Sequence, residues 1–67
     1  MGESTFKTRL QTEEAELLVK MENLNAFRLT DKFKELEIVQ QELLHIQFAA
    51  MMTYINCLTA RIATIKE

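Results

Sequence analysis

Four polar or amphipathic residues recur at strict seven-residue intervals in the C-terminal half of the chain, and their side chains are suited to binding a ligand. The row consists of Gln40, Gln47, Tyr54 and Arg61. Seven residues are close to two turns of an α-helix, so on a helix these side chains form one line. Tyr54 offers a ring for stacking, Arg61 a planar fork for phosphate or carboxylate, and Gln47 an amide. The row predicts either an anion-binding groove or a set of hydrogen bonds that fixes the register of a helix interface.

Residue patterns for catalysis or metal binding are missing from the sequence. It has no Ser-His-Asp order, paired-carboxylate cleft, phosphate loop or Cys-x-x-Cys motif. His45 has no acidic or histidine partner three or four residues further on, and Cys57 is the only cysteine. Together they supply too few ligands for a structural zinc site. We therefore expect no enzyme, no metal and no cofactor. The lone thiol also fits a reducing, cytoplasmic location.

Composition favours one small helical domain. The chain has 67 residues, no proline and a single glycine, Gly2, so the usual signals of turns and strands are almost absent. Hydrophobic residues make up 48%, too many for a disordered tail. The net charge is −2, with acids and bases interspersed, which argues against a DNA-binding surface. We expect residues 1–67 to form one all-α domain.

An apolar stripe predicts a first helix over residues 5–27. Ser4 or Thr5 could cap its start. The stripe recurs at helical spacing through Phe6, Leu10, Leu17, Met21 and Leu24. Glu13 and Glu14 interrupt it, which indicates either a solvated gap or a polar contact at an oligomer seam.

The connection, about residues 28–36, combines helix-capping residues with positive charge. Thr30 and Asp31 are both good caps. Arg28, Lys32 and Lys34 surround the same turn, where they could contact phosphate or simply lie in water.

A second helix, about residues 37–66, has two apolar faces. Its start is Asp31 or Glu37, depending on whether residues 31–36 form a separate turn. One face consists of two heptad rows and suits packing against the first helix: Leu44, Met51, Leu58 and Ile65, with Phe48, Ile55 and Ile62 beside them. The other face suits a neighbouring subunit: Leu43, Ile46, Ala50, Cys57 and Ala60. The expected fold is all-α: a two-helix antiparallel hairpin with a long second helix, assembling into a homo-oligomeric helical bundle.

The second helix also contains a long stretch without formal charge. Residues 43–60 include no Asp, Glu, Lys or Arg, and 18 such residues almost suffice to cross a bilayer. The stretch nevertheless contains Gln47, Asn56 and four further polar residues, which are costly in lipid. We therefore expect a helix covered by protein on several sides, and no membrane.

Two runs of residues resemble short proteins of tailed phages and prophages. The first is Phe6, Arg9-Leu10, Glu14, Glu16-Leu17, Lys20, Leu24 and Phe27. The second is Lys32-Phe33, Leu36, Gln41, Leu43-Leu44, Gln47, Met51, Tyr54, Leu58 and Arg61-Ile62. In those proteins a short turn precedes the second helix, so the resemblance implies a start near Glu37.

A local segment is similar to a second phage family. Residues 54–61 follow the pattern aromatic-x-Asn-x-x-x-Ala-Arg, with Tyr54 where that family has tryptophan. The pattern occurs in oligomeric hairpin proteins that oppose CBASS and Thoeris immunity by sequestering cyclic nucleotides. The similarity implies ligand-binding roles for Tyr54, Asn56 and Arg61. Gln47 and the turn residues Arg28, Lys32 and Lys34 complete the candidate set.

These observations lead to two functional hypotheses. The first is a non-enzymatic phage accessory protein that binds and neutralises a host factor, in its sharpest form an oligomeric sponge for a cyclic nucleotide. The second is a structural or adaptor coiled coil that acts only through protein contacts. The expected partners are further copies of the chain and either a cyclic nucleotide or a host protein, without DNA.

Overall fold

The computed structural model describes residues 6–65, which form three α-helices and no strand. The helices are α1 (Phe6–Arg28), α2 (Asp31–Lys34) and α3 (Ile38–Ala63). The prediction of an all-α chain is confirmed. The proposed caps Ser4 and Thr5 lie outside the described residues, as does the end of the second helix at residue 66.

The break between α1 and α2 is held by the side chain of Thr30. Its hydroxyl donates to the carbonyl of Phe27 at 2.7 Å and accepts from the amide of Phe33 at 3.3 Å. This N-cap starts a single helical turn that ends at Glu35, and α3 begins after Glu37. Residues 31–34 are therefore a helix of their own, and α3 starts at the later of the two positions considered from the sequence.

The side chain of Gln41 ties the start of α3 to the preceding turn. Its Nε2 donates to the carbonyl of Leu36 at 2.8 Å and to that of Lys34 at 3.2 Å. Carbonyls at the end of a short helix have no partner within the helix, so these bonds satisfy them and fix the direction in which α3 leaves.

Helices α1 and α3 contact each other at several levels, and the N-terminal end of α1 lies beside the C-terminal end of α3. The Arg61 guanidinium is 5.7 Å from the centre of the Phe6 ring, whereas Arg28 lies over Phe48. The described part measures 49 × 19 × 13 Å, which is little longer than α3 itself at about 39 Å.

Very little of this single chain is buried. Only Leu10, Phe33 and Leu58 are buried hydrophobic residues among those described, and Leu58 alone is fully buried. The inner rows of α3, from Leu44 to Ile65, are buried or half-buried, as expected for the face towards α1. The larger hydrophobic side chains that remain exposed are Phe6, Leu18, Val19, Leu29, Ile38, Val39, Leu43, Ile46, Met52 and Tyr54.

Candidate ligand and subunit surfaces

The polar row lies along one edge of α3, and all four of its residues are exposed. Gln40, Gln47, Tyr54 and Arg61 therefore line an exposed edge of α3, and Tyr54 and Arg61 also contact α1. Tyr54 donates its hydroxyl proton to the Glu13 carboxylate, which holds the ring against α1. No pocket exists in the described part of one chain, so a groove along this row would need a second wall.

Two acidic residues of α1 hold α3 from both sides. Glu13 accepts a hydrogen bond from Tyr54, and its neighbour Glu14 accepts one from the hydroxyl of Thr59. Both glutamates are half-buried. The sequence left open a solvated gap or a polar contact at an oligomer seam; the solvated gap was wrong, because the two carboxylates form polar contacts within the chain.

Asn56 lies on a different edge of α3 from Tyr54. Two residues along a helix turn the side chain by about 200°, so the two point in nearly opposite directions around the axis. Both are exposed. One chain thus does not bring Tyr54 and Asn56 to one site, and a shared role would require a neighbouring molecule.

Arg28 differs from the other cations of the turn because it is half-buried and packed on a ring. Its guanidinium carbon lies 4.2 Å from the centre of the Phe48 ring, a cation–π contact. Its Nε and Nη1 atoms are buried, and neither has a hydrogen-bond acceptor within residues 6–65. Among residues 6–65, Arg28 therefore presents unsatisfied donors and a positive charge that forms no ion pair with a carboxylate.

The two lysines of the turn are exposed and make weak contacts. Lys34 Nζ lies 3.9 Å from Asp31 Oδ1, and both side chains face solvent. Such surface pairs contribute little to stability, so the pair leaves Lys34 available to an anion. Lys32 is likewise exposed.

An aromatic cluster that the sequence did not reveal supports the turn. Phe33 meets Phe27 edge-to-face, with ring centres 6.0 Å apart, and meets His45 at 5.2 Å. His45 thus packs against the turn, and Phe48 supports Arg28. The sequence does show His45 and Phe48 as an aromatic pair three residues apart on α3. What they contact becomes visible only with the position of the turn.

The predicted subunit interface is exposed along its whole length. Leu43 is 51% exposed and Ile46 64%, and the smaller residues Ala50, Cys57 and Ala60 are also exposed. Within one chain, nothing described covers this face.

Helix α3 satisfies the length and composition expected of a membrane span, and only 6% of its most apolar 18-residue stretch is buried within the chain. The described residues include no group of three or more His, Cys, Asp or Glu side chains placed to hold a metal ion.

Fold and surface define a small all-α protein whose longest helix exposes an apolar face and in which Arg28 and Arg61 each lie over an aromatic ring. Residues 4–64 match the model of the Sequestin family, and the chain belongs to that family. It is also 38% identical over 61 residues to the uncharacterized 7.5 kDa protein in the denB–rIIB intergenic region of Enterobacteria phage T4. That match covers 91% of this chain and 95% of the phage protein. No solved structure matches.

Proposed function

We propose that this chain is a non-enzymatic phage accessory protein that sequesters a small anionic signal of its host, a cyclic nucleotide, as a homo-oligomer of antiparallel helical hairpins. The family name points to sequestration of a partner, and the relative in phage T4 points to a viral context. In this proposal the protein acts in the cytoplasm of the infected bacterium. Binding alone removes the signal, so no catalytic residues are needed.

The main support for an anionic ligand comes from Arg28, whose Nε and Nη1 donors are buried and have no acceptor within residues 6–65. A buried donor without an acceptor costs about 1–3 kcal/mol, and a charged group costs more. The Nε and Nη1 donors of Arg28 are in this position, over the Phe48 ring. A small rotation of the half-buried guanidinium would turn these donors to an incoming phosphate, which accepts short, charge-assisted hydrogen bonds. Phosphate binding would thus provide acceptors for the unpaired Nε and Nη1 donors of Arg28.

Arg61 supplies a second cation on a ring, at the opposite end of the molecule. It is exposed and lies over Phe6, whereas Arg28 lies over Phe48. Phe48 and Arg61 are 13 residues apart on α3, or about 20 Å along the axis. One small ligand cannot touch both arginines in one chain. A complete site of this kind therefore requires at least two subunits.

The small number of buried side chains in one chain supports the proposed assembly. Three buried hydrophobic side chains among residues 6–65 are few for an independent fold of this size, and small domains commonly compensate through partner chains. The exposed apolar face of Leu43, Ile46, Ala50, Cys57 and Ala60 offers such a contact. A contiguous patch of this kind is typical of an interaction surface.

The alternative is an adaptor coiled coil without a nucleotide ligand, and the position of Glu13 favours it. This carboxylate accepts the Tyr54 hydrogen bond and places negative charge beside the ring proposed to stack on a nucleotide. In the adaptor hypothesis the polar row hydrogen-bonds to another protein, and Arg28 is satisfied by an acceptor from that protein.

Calorimetric titration with a panel of cyclic di- and trinucleotides separates the two hypotheses. For the sponge we expect wild type to bind at least one of them. Arg28→Ala and Arg61→Ala should each lower affinity roughly 10- to 150-fold, the equivalent of about 1.5–3 kcal/mol for a lost charged hydrogen bond. Lys20→Ala is the matched control, since it removes the same charge from an exposed position in the middle of α1. Sedimentation should show that the assembly persists in all three variants. The absence of heat with every nucleotide would favour the adaptor.

A further inference from the structure

The outer face of α3 contains a longer and more regular pattern than its five predicted interface residues. Adding Val39 and Thr53 gives seven positions separated by alternating steps of four and three: Val39, Leu43, Ile46, Ala50, Thr53, Cys57 and Ala60. This 3.5-residue period is the spacing of a coiled-coil seam. All seven residues are exposed. The seam extends over 22 residues, from Val39 to Ala60, or about 32 Å.

Thr53 is the one polar residue inside the seam, and its hydroxyl already has a hydrogen-bond partner, so it can be buried at little cost. The hydroxyl of Thr53 donates to the carbonyl of Ala49 in its own helix at 3.1 Å. Thr64, the next position of the same pattern, likewise donates to the carbonyl of Arg61 at 2.8 Å. A buried hydroxyl is costly only when it lacks a partner, so both residues can present their methyl groups to another helix.

Side chains become smaller from the N-terminal to the C-terminal half of the seam, and this determines the direction in which a second copy of the helix can pack. The N-terminal half carries Val39, Leu43 and Ile46, whereas the C-terminal half carries only the small residues Ala50, Thr53, Cys57 and Ala60. Two such helices side by side in parallel would place large against large at one end and small against small at the other. Packing at a constant axial separation of 8–10 Å would then fail at one end or the other.

We infer that α3 pairs with α3 of a second copy in the antiparallel direction. This pairing adds a specific geometry to the proposed homo-oligomer. Its consequence for ligand binding rests on the proposed function. In antiparallel register the large half of one helix meets the small half of the other. The opposed pairs become Val39 with Thr64, Leu43 with Ala60, Ile46 with Cys57, and Ala50 with Thr53. Every layer then combines one larger and one smaller side chain, and the seam is complementary to itself.

The same register brings the polar rows of the two copies together. The row lies immediately beside the seam, and in an antiparallel pair the two rows face each other across one edge of the contact. Gln47 of the second copy comes within about 3 Å of the axial level of Tyr54, and its Gln40 does the same for Arg61. Each protomer thus contributes a ring and a cation to one site and two amides to the other. Neither half-site is complete without the second copy.

Disulfide trapping tests this pairing without any ligand. The wild-type protein has a single thiol, Cys57, which lies in the C-terminal half of the seam. Antiparallel pairing therefore separates the two copies of Cys57, whereas parallel pairing would place them opposite each other.

 In the antiparallel register the two thiols lie about 16 Å apart along the axis, too far for a disulfide. Mild oxidation of wild type should therefore leave the chains unlinked. Ile46→Cys places a thiol opposite Cys57 of the second copy, and oxidation should give a covalent dimer.

The matched control is Met52→Cys, another exposed apolar position of α3 that points away from the seam. It should give no covalent dimer. Digestion with chymotrypsin, which cleaves after Phe48 and Tyr54, separates positions 46 and 57 and shows which residues the disulfide joins. A 46-to-57 linkage between chains is the expected product.

Two results would overturn the pairing: a disulfide between the Cys57 residues of wild type, or no 46-to-57 linkage in a folded Ile46→Cys protein. If that variant fails to fold, Leu43→Cys with Ala60→Cys in a Cys57→Ser background tests the same register and must link position 43 to position 60. Loss of nucleotide binding with intact trapping would count against the sponge alone, so the two failures are distinguishable.

Discussion

The hydroxyl of Tyr54 on α3 donates a hydrogen bond to the carboxylate of Glu13 on α1, a residue 41 positions earlier in the chain. This contact fixes the ring at the edge of α3 and also sets a negative charge beside it. Both consequences bear on the proposed site, because the same carboxylate that orients the ring opposes an anionic ligand.

Glu13→Gln should strengthen nucleotide binding. The amide oxygen still accepts from Tyr54, while the negative charge is removed. A unit charge at about 4 Å in water contributes about 1 kcal/mol, so affinity should rise about fivefold at low salt and by less at high salt. Calorimetric titration at two salt concentrations measures this, with Glu22→Gln on an exposed part of α1 as the control. Equal affinities for Glu13→Gln and wild type would place the ligand away from Tyr54.

Leu58→Ala should be the most destabilising single truncation among the apolar residues of α3. Leu58 is fully buried, and removing a buried leucine side chain costs about 2–5 kcal/mol. Leu29→Ala is the control, since Leu29 is 78% exposed and its truncation should change the free energy of unfolding by no more than about 0.5 kcal/mol. Urea denaturation at one fixed protein concentration compares them. Similar midpoints for the two variants would contradict the packing of α3 on α1.

Thr30→Ala should loosen the turn that positions Phe33 and Arg28. It removes both the bond to the Phe27 carbonyl and the cap on the Phe33 amide. Loss of such a cap costs about 1 kcal/mol, whereas Thr30→Ser keeps the hydroxyl and should remain near wild type. Thermal melts followed by circular dichroism provide the measurement. An unchanged melting temperature for Thr30→Ala would show that the cap does not limit stability.

The helical class and the inner face of α3 could be predicted because both depend on local periodicity. Leu44, Met51, Leu58 and Ile65 recur every seven residues, and the structure buries or half-buries each of them. The roles of Glu13 and Glu14 could not be predicted in this way. Their partners Tyr54 and Thr59 are 41 and 45 residues distant, and periodicity within one helix does not show which residue of another helix lies opposite.

The protein should stay with the aqueous fraction when mixed with lipid vesicles, although α3 has the length and composition of a membrane span. Gln47 and Asn56 are exposed on α3, and their amides would lose hydrogen bonds with water in a bilayer. Flotation with neutral vesicles is the measurement. Recovery of the protein in the floating fraction would mean that lipid, rather than a second copy of the chain, covers the apolar face.

Native mass spectrometry of the wild-type protein with cyclic di- and trinucleotides tests the central claim most directly, because one spectrum reports both assembly and ligand. We expect an oligomer whose mass is a multiple of the 7.8 kDa chain and which retains nucleotide at one site per protomer. A spectrum of 7.8 kDa monomers at micromolar concentration, or of oligomers that retain none of the nucleotides, would contradict it.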